Sequence, residues 1–182
     1  MIKKVLEYCA NLWYSIFRIG IVREVEDMEN KITVFDVAEF FSSKETMTHK
    51  KLQKLVYYAY AWYIALSNED KDNIKVRLFD NCSFEAWVHG PVCPQLYAHY
   101  SDNYGMVGKY KGKLNPLITG EIKKFLELIY KTFGKYTGDQ LESMTHQEMP
   151  WQNARDTLKP YEPSNKKILE SDMFVYYNSI VS

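Results

Sequence analysis

The chain has 182 residues, with 23 Lys and Arg against 23 Asp and Glu, so its formal net charge is zero. That length suits one domain, and 46% hydrophobic residues supply a core that needs no disulfide or metal to hold it. The charge balance argues against nucleic acid as a specific partner, because phosphate backbones are held by a surplus of Lys and Arg on one face. The basic stretch Lys109 to Lys113 reads as a solvated loop.

Residues 1–30 read as a unit of their own. Ile2, Val5, Leu6, Cys9, Leu12, Trp13, Ile16 and Phe17 recur at three- and four-residue steps, which predicts an amphipathic helix. Glu7, Asn11 and Arg18 interrupt the apolar run, so it is neither a secretion signal nor a membrane span. Its polar face is not strongly basic, which disfavours a membrane surface. The mixed-charge stretch Arg23 to Asn30 reads as a connector.

Thr33 and Asp36 form an approximate capping box for a short helix to about Phe41. Thr48 is placed to cap the strongest helix of the chain, His49 to Leu66, with Leu52, Leu55, Val56, Ala59, Trp62 and Leu66 on one face. Tyr57, Tyr58, Tyr60 and Tyr63 widen its apolar stripe, so it should be covered on more than one side. Ile74, Val76 and Leu78 alternate with Lys75 and Arg77, which predicts a strand pairing with Ser83 to Val88 across Asp80-Asn81, with Gly90-Pro91 as its stop.

Pro94 opens a helix carrying Leu96, Tyr97 and Tyr100, and Tyr104 to Leu114 reads as a loop. Asn115-Pro116 opens the next helical region, whose core face runs from Ile118 to Phe133 and ends at Gly134. Thr137 and Gln140 form a capping box for a short helix through Met144. Pro150 starts another helix with Trp151 and Ala154, and Met173 to Ile180 reads as the last one. The expected fold is therefore mainly α, a compact multi-helix domain over 31–182 with a small β-hairpin, plus the amphipathic helix.

Cys9, Cys82 and Cys93 lack metal-type spacing and read as buried thiols in a reducing, cytoplasmic compartment. Two stretches concentrate chemistry-bearing side chains: Glu85, Trp87, His89, Gly90 and Pro91, and then Thr145, His146, Glu148, Pro150 and Trp151. A hydrolase reading makes His89 and His146 metal ligands or acid–base groups with Glu85 and Glu148 beside them. It lacks the two histidines one helical turn apart that zinc hydrolases use, so no metal, cofactor or catalytic residue is assigned. The plainer reading has both histidines satisfying carbonyls or carboxylates where elements end, with Trp87 and Trp151 in the core. His49 and His99 are expected to face solvent.

In order, the chain carries Lys51-Leu52-Gln53-Lys54-Leu55-Val56-Tyr57-Tyr58-Ala59 with Trp62, then Glu85-Ala86-Trp87, His89-Gly90-Pro91-Val92, and Thr145-His146-Gln147-Glu148 with Pro150-Trp151. This series, from about Lys31 to the C-terminal helix, resembles the Panacea domain, the SocA-like antitoxin family. The resemblance implies a non-enzymatic antitoxin of a bacterial or prophage toxin–antitoxin system, which neutralises a toxin encoded by a neighbouring gene through direct binding. An adaptor that delivers the toxin to a protease is the alternative it implies. Tyr57, Trp62, Glu85, Trp87, His89, Gly90, Pro91, Thr145, His146, Glu148, Pro150 and Trp151 are then the candidate toxin-binding or motif residues. Leu6, Leu12, Trp13, Ile16 and Phe17 lie outside the shared domain; their apolar face either packs back on the same chain, or contacts a second copy, or contacts a partner and so selects the toxin.

Overall fold

A computed structural model describes residues 31–102 and 105–181. The expected amphipathic helix, with Leu6, Cys9, Leu12, Trp13, Ile16 and Phe17, and the connector after it lie outside the described residues.

Helix α1, Val34–Ser42, starts where Thr33 accepts from the Asp36 amide while the Asp36 carboxylate accepts from the Thr33 amide, closing the expected capping box. Strand β1, Met47–Thr48, leads into helix α2, His49–Ser67, where the Thr48 hydroxyl accepts from the Lys51 amide. Every residue of α2 from Leu52 to Ala65 is buried. A helix apolar around most of its circumference can be satisfied only by neighbours on all sides, and α2 is the axis on which the other elements pack.

The hairpin differs from the sequence expectation. Strand β2, Glu85–Trp87, pairs antiparallel with β3, Gly90–Val92, in the register Glu85 to Val92, Ala86 to Pro91 and Trp87 to Gly90. Gly90-Pro91 is thus part of the second strand and does not end the first, and the turn falls at Val88-His89. Ile74 to Leu78 forms no strand. The Asn68 side chain takes the place of a partner strand there: its carbonyl accepts from the amides of Lys75 and Val76, and its amide donates to the carbonyls of Val76 and Ile64. On its other edge β2 meets Lys167 through an antiparallel bridge, with Ala86 N–H donating to Lys166 C=O and Ile168 N–H to Phe84 C=O.

Helix α3, Pro94–Tyr100, begins with proline in its first turn as expected. The segment read as a loop contains β4, Met106–Val107, which pairs with β1; two-residue strands carry too little pattern to be seen in sequence. Helix α4, Gly120–Phe133, starts later than expected, because the Asn115 side chain caps a separate turn by accepting from the Leu117 amide. Helix α5, Gly138–Thr145, keeps the Thr137–Gln140 capping box. Helices α6, Met149–Arg155, and α7, Glu170–Val181, complete the described chain.

These seven helices and two small antiparallel pairs make the fold mainly α with a small hairpin, among the described residues. Helices α1, α4, α5 and α7 pack on α2, and α6 packs between β2 and α7. No helix among the described residues is long and apolar enough to cross a membrane.

Two further expectations need correction. Cys82 and Cys93 are buried as expected but are not free thiols: their Sγ atoms are bonded at 2.04 Å, linking the segment before β2 to the N-terminus of α3. The hairpin folds back between them in sequence and brings them together. His49 does not face solvent; it is buried, stacks on Tyr97 with ring centroids 4.9 Å apart, and lies within hydrogen-bond distance of the Gln53 amide. Burial pushes its pKa down. His99 is exposed, with its ring 5.0 Å from that of Phe35.

Candidate functional site

The three motif blocks converge on the hairpin. A two-stranded hairpin leaves backbone groups unpaired at its edges, and each buried one needs a partner. Side chains of the surrounding helices supply them. The Gln53 carbonyl accepts from the Cys93 amide at 2.9 Å and its own amide donates to the Cys93 carbonyl. Lys54 Nζ donates to Pro91 C=O at 3.0 Å, Trp151 Nε1 to Trp87 C=O at 3.0 Å, and Arg155 Nη1 to Ala86 C=O at 3.0 Å. Two polar residues in the middle of an otherwise apolar helix are thereby explained.

Gly90 sits at the crossing of all three blocks. Its φ is +88°, and a Cβ there would lie 2.7 Å from Lys54 Cε and 2.8 Å from Thr145 Oγ1. Only glycine fits both the backbone conformation and the space. Lys54 is fully buried beneath it, and burial pushes its pKa down to about 7, with the nearby Glu142 carboxylate working against the shift.

The His and Glu residues do not pair as the sequence suggested. His89 donates from Nδ1 to Glu142 Oε1 at 3.0 Å, and Lys50 approaches the other oxygen of Glu142 at 2.6 Å. Burial works to raise the Glu142 carboxyl, but the hydrogen bonds from Lys50 and His89 outweigh it and hold the group below the ordinary carboxylate value. Glu148 is buried and accepts from the hydroxyls of Tyr58 at 3.0 Å and Tyr177 at 2.6 Å. Burial raises its pKa to about 7 even against those two donors. His146 lies flat on Trp151, centroids 4.0 Å apart, and burial lowers its pKa. No group of three His, Cys, Asp or Glu side chains among the described residues is placed to hold a metal ion.

The candidate residues therefore divide by position. Tyr57, Trp62, Gly90, Pro91, Thr145, Glu148, Pro150 and Trp151 are buried; Glu85, Trp87 and His146 are half-buried; and His89 is exposed. Glu142, Arg155, Tyr58 and Tyr177 take part in the same network, and sequence reasoning did not single them out. The contacts of Glu142 and Arg155 with the hairpin carry no local signal, because His89 and Ala86 lie 53 and 69 residues away in the chain.

The outward side of the hairpin is different in character. Glu85, Trp87, Val88 and His89 form one side of a groove of about 520 Å³, and Pro163, Ser164 and Asn165 form the other. The Trp87 indole N–H donates to Glu85 Oε2 at 2.7 Å, and the Tyr97 ring lies 5.0 Å from that of Trp87. Tyr97 is 44% exposed, so the aromatic surface continues beyond the groove.

The chain is mainly helical, with Gln53, Lys54, Trp151 and Arg155 bracing the hairpin beneath an outward groove. The model of the family described as antitoxin SocA-like, Panacea domain, matches residues 52–152, more than half of the chain. The chain belongs to that family. The match runs from α2 into α6, shorter than the resemblance from Lys31 to the C-terminal helix, and leaves α1 and α7 outside it. Comparisons with curated proteins and with solved structures give no match.

Proposed function

We propose that the chain is a non-catalytic antitoxin that neutralises a toxin encoded by a neighbouring gene, by direct protein–protein binding. The family match over residues 52–152 carries this reading. The network geometry supports it. His89 and Trp151 hold the hairpin to α5 and α6, and Glu148 holds α2 to α7, so the motif blocks build a scaffold and the outward groove is left for contact. Binding alone neutralises a toxin if the interface is stable, and a few desolvated aromatic anchors with polar neighbours suffice for that.

In this reading 31–182 is the antitoxin domain and 1–30 is a separate, partner-selecting segment. Glu85, Trp87 and His89 contribute contacts, while Tyr57, Trp62, Gly90, Pro91, Thr145, Glu148, Pro150 and Trp151 keep the contact surface in shape. The test is co-expression with the immediate genomic neighbour under separate inducers, scoring growth and co-purification together. Growth restored by a stable complex is the expected result. A toxic neighbour that is neither rescued nor bound would overturn the proposal.

A further inference from the structure

The groove beside β2 has walls that are fixed from inside. Arg155 is buried, and besides Ala86 its guanidinium donates to the carbonyls of Lys159, Pro160 and Glu162 at 2.8, 3.3 and 2.7 Å. It lies over the Trp151 ring at 5.0 Å. One side chain thus clamps the loop that leads into Pro163 to Asn165 against the hairpin strand that carries Glu85 and Trp87. The opening between them is a built feature of the fold.

The lining is chemically lopsided. Glu85 is its one carboxylate, and the one basic side chain, His89, is already bonded to Glu142. Glu85 Oε2 accepts from the Trp87 indole, and Glu85 Oε1 has no hydrogen-bond or ion-pair partner among the described residues. Lys167, opposite Glu85 in the bridge, makes no ion pair with it. A half-buried carboxylate oxygen beside an accessible indole, with a second ring next to it, is the combination that attracts a cation: the ring face supplies the quadrupole and the carboxylate the charge. A planar guanidinium satisfies both, because it stacks on an aromatic face while donating in its own plane.

We infer that the groove formed by Glu85, Trp87 and the 163–165 segment is a receptor for an arginine side chain presented by a partner protein. A volume of about 520 Å³ accommodates that side chain with its flanking backbone. The identity of the partner as the toxin rests on the proposed antitoxin function; the chemistry of the groove does not.

The test uses the full chain and acetyl-arginine amide as probe, read at the Trp87 indole N–H resonance, which Trp87→Phe identifies among the four tryptophans. Acetyl-citrulline amide, of nearly the same shape but uncharged, is the control. The expected result is a saturable shift with the arginine compound, and affinity about tenfold weaker both for citrulline and in Glu85→Gln. Gln keeps an acceptor for the Trp87 indole, and an unchanged unfolding midpoint confirms that the variant is folded. Equal shifts for arginine and citrulline, full affinity in Glu85→Gln, or no shift at all would each overturn the inference. Growth rescue by Glu85→Gln in co-expression separates the two readings: rescue alongside a failed probe removes the arginine site and leaves the antitoxin, whereas a bound probe without rescue by wild type does the reverse.

Discussion

The Glu148 carboxyl accepts from the Tyr177 hydroxyl at 2.6 Å, tying the block before α6 to the last helix in a place where neither side chain reaches solvent. The native state therefore keeps an acid whose pKa is raised from 4.5 to about 7 by burial.

That shift makes stability depend on pH. Near pH 6 the native carboxyl holds a proton that the unfolded chain has given up, so its contribution is full below 4.5 and is lost as pH rises through about 7. The span corresponds to about 3 kcal/mol. Urea unfolding of wild type and Glu148→Gln between pH 4.5 and 8 reads it as a difference, which cancels the histidines and other groups common to both. The wild type loses stability relative to the variant as pH rises; a constant difference would show that Glu148 titrates normally.

Two glycines with positive φ give a paired comparison. Gly105→Ala, where a Cβ meets nothing within 4 Å, costs only the backbone strain, about 1 kcal/mol. Gly90→Ala adds the collision with Lys54 and Thr145 and costs about 3 kcal/mol. Similar losses at both positions would mean that the packing around Gly90 gives way freely.

Gln53→Leu removes the partner of the Cys93 amide, leaving a buried N–H unpaired, while the Cys93 carbonyl keeps the Tyr97 amide as its donor. The expected cost is about 2 kcal/mol in chemical denaturation. Faster hydrogen exchange at the Cys93 amide than at neighbouring α2 amides would localise the damage. A variant with wild-type stability would show that water replaces the side chain at no cost.

Deleting Met1 to Asp27 tests the division of labour proposed for the two segments. The truncated chain is expected to keep its melting temperature and to lose affinity for the toxin. Unchanged affinity would remove partner selection from this segment, and a collapsed melting temperature would make it part of the core.

The sequence made helices legible where capping and periodicity coincide. Thr33, Thr48 and Thr137 each marked a true start, because a side-chain cap is a local interaction between residues three apart. The hairpin was misplaced because its second strand contains Gly90 and Pro91, residues that usually end strands. Here Lys54, from a helix about 40 residues earlier, donates to the Pro91 carbonyl, and Gln53 of the same helix pairs with Cys93 just beyond the strand. The alternation at Ile74 to Leu78 was real, but it found an asparagine side chain in place of a strand. The blocks that identify the family were readable as a linear pattern; that they touch one another through Lys54, Gly90 and Thr145 was not, since spatial convergence leaves no mark on spacing.

The complete enclosure of α2 also bears on how such a protein can change. With its structural commitments concentrated along one internal rod and the carbonyls that rod braces, most outward positions are free of folding duties, and substitutions there typically alter stability by no more than about 0.5 kcal/mol. A scaffold of this kind can exchange one binding surface for another without relearning how to fold.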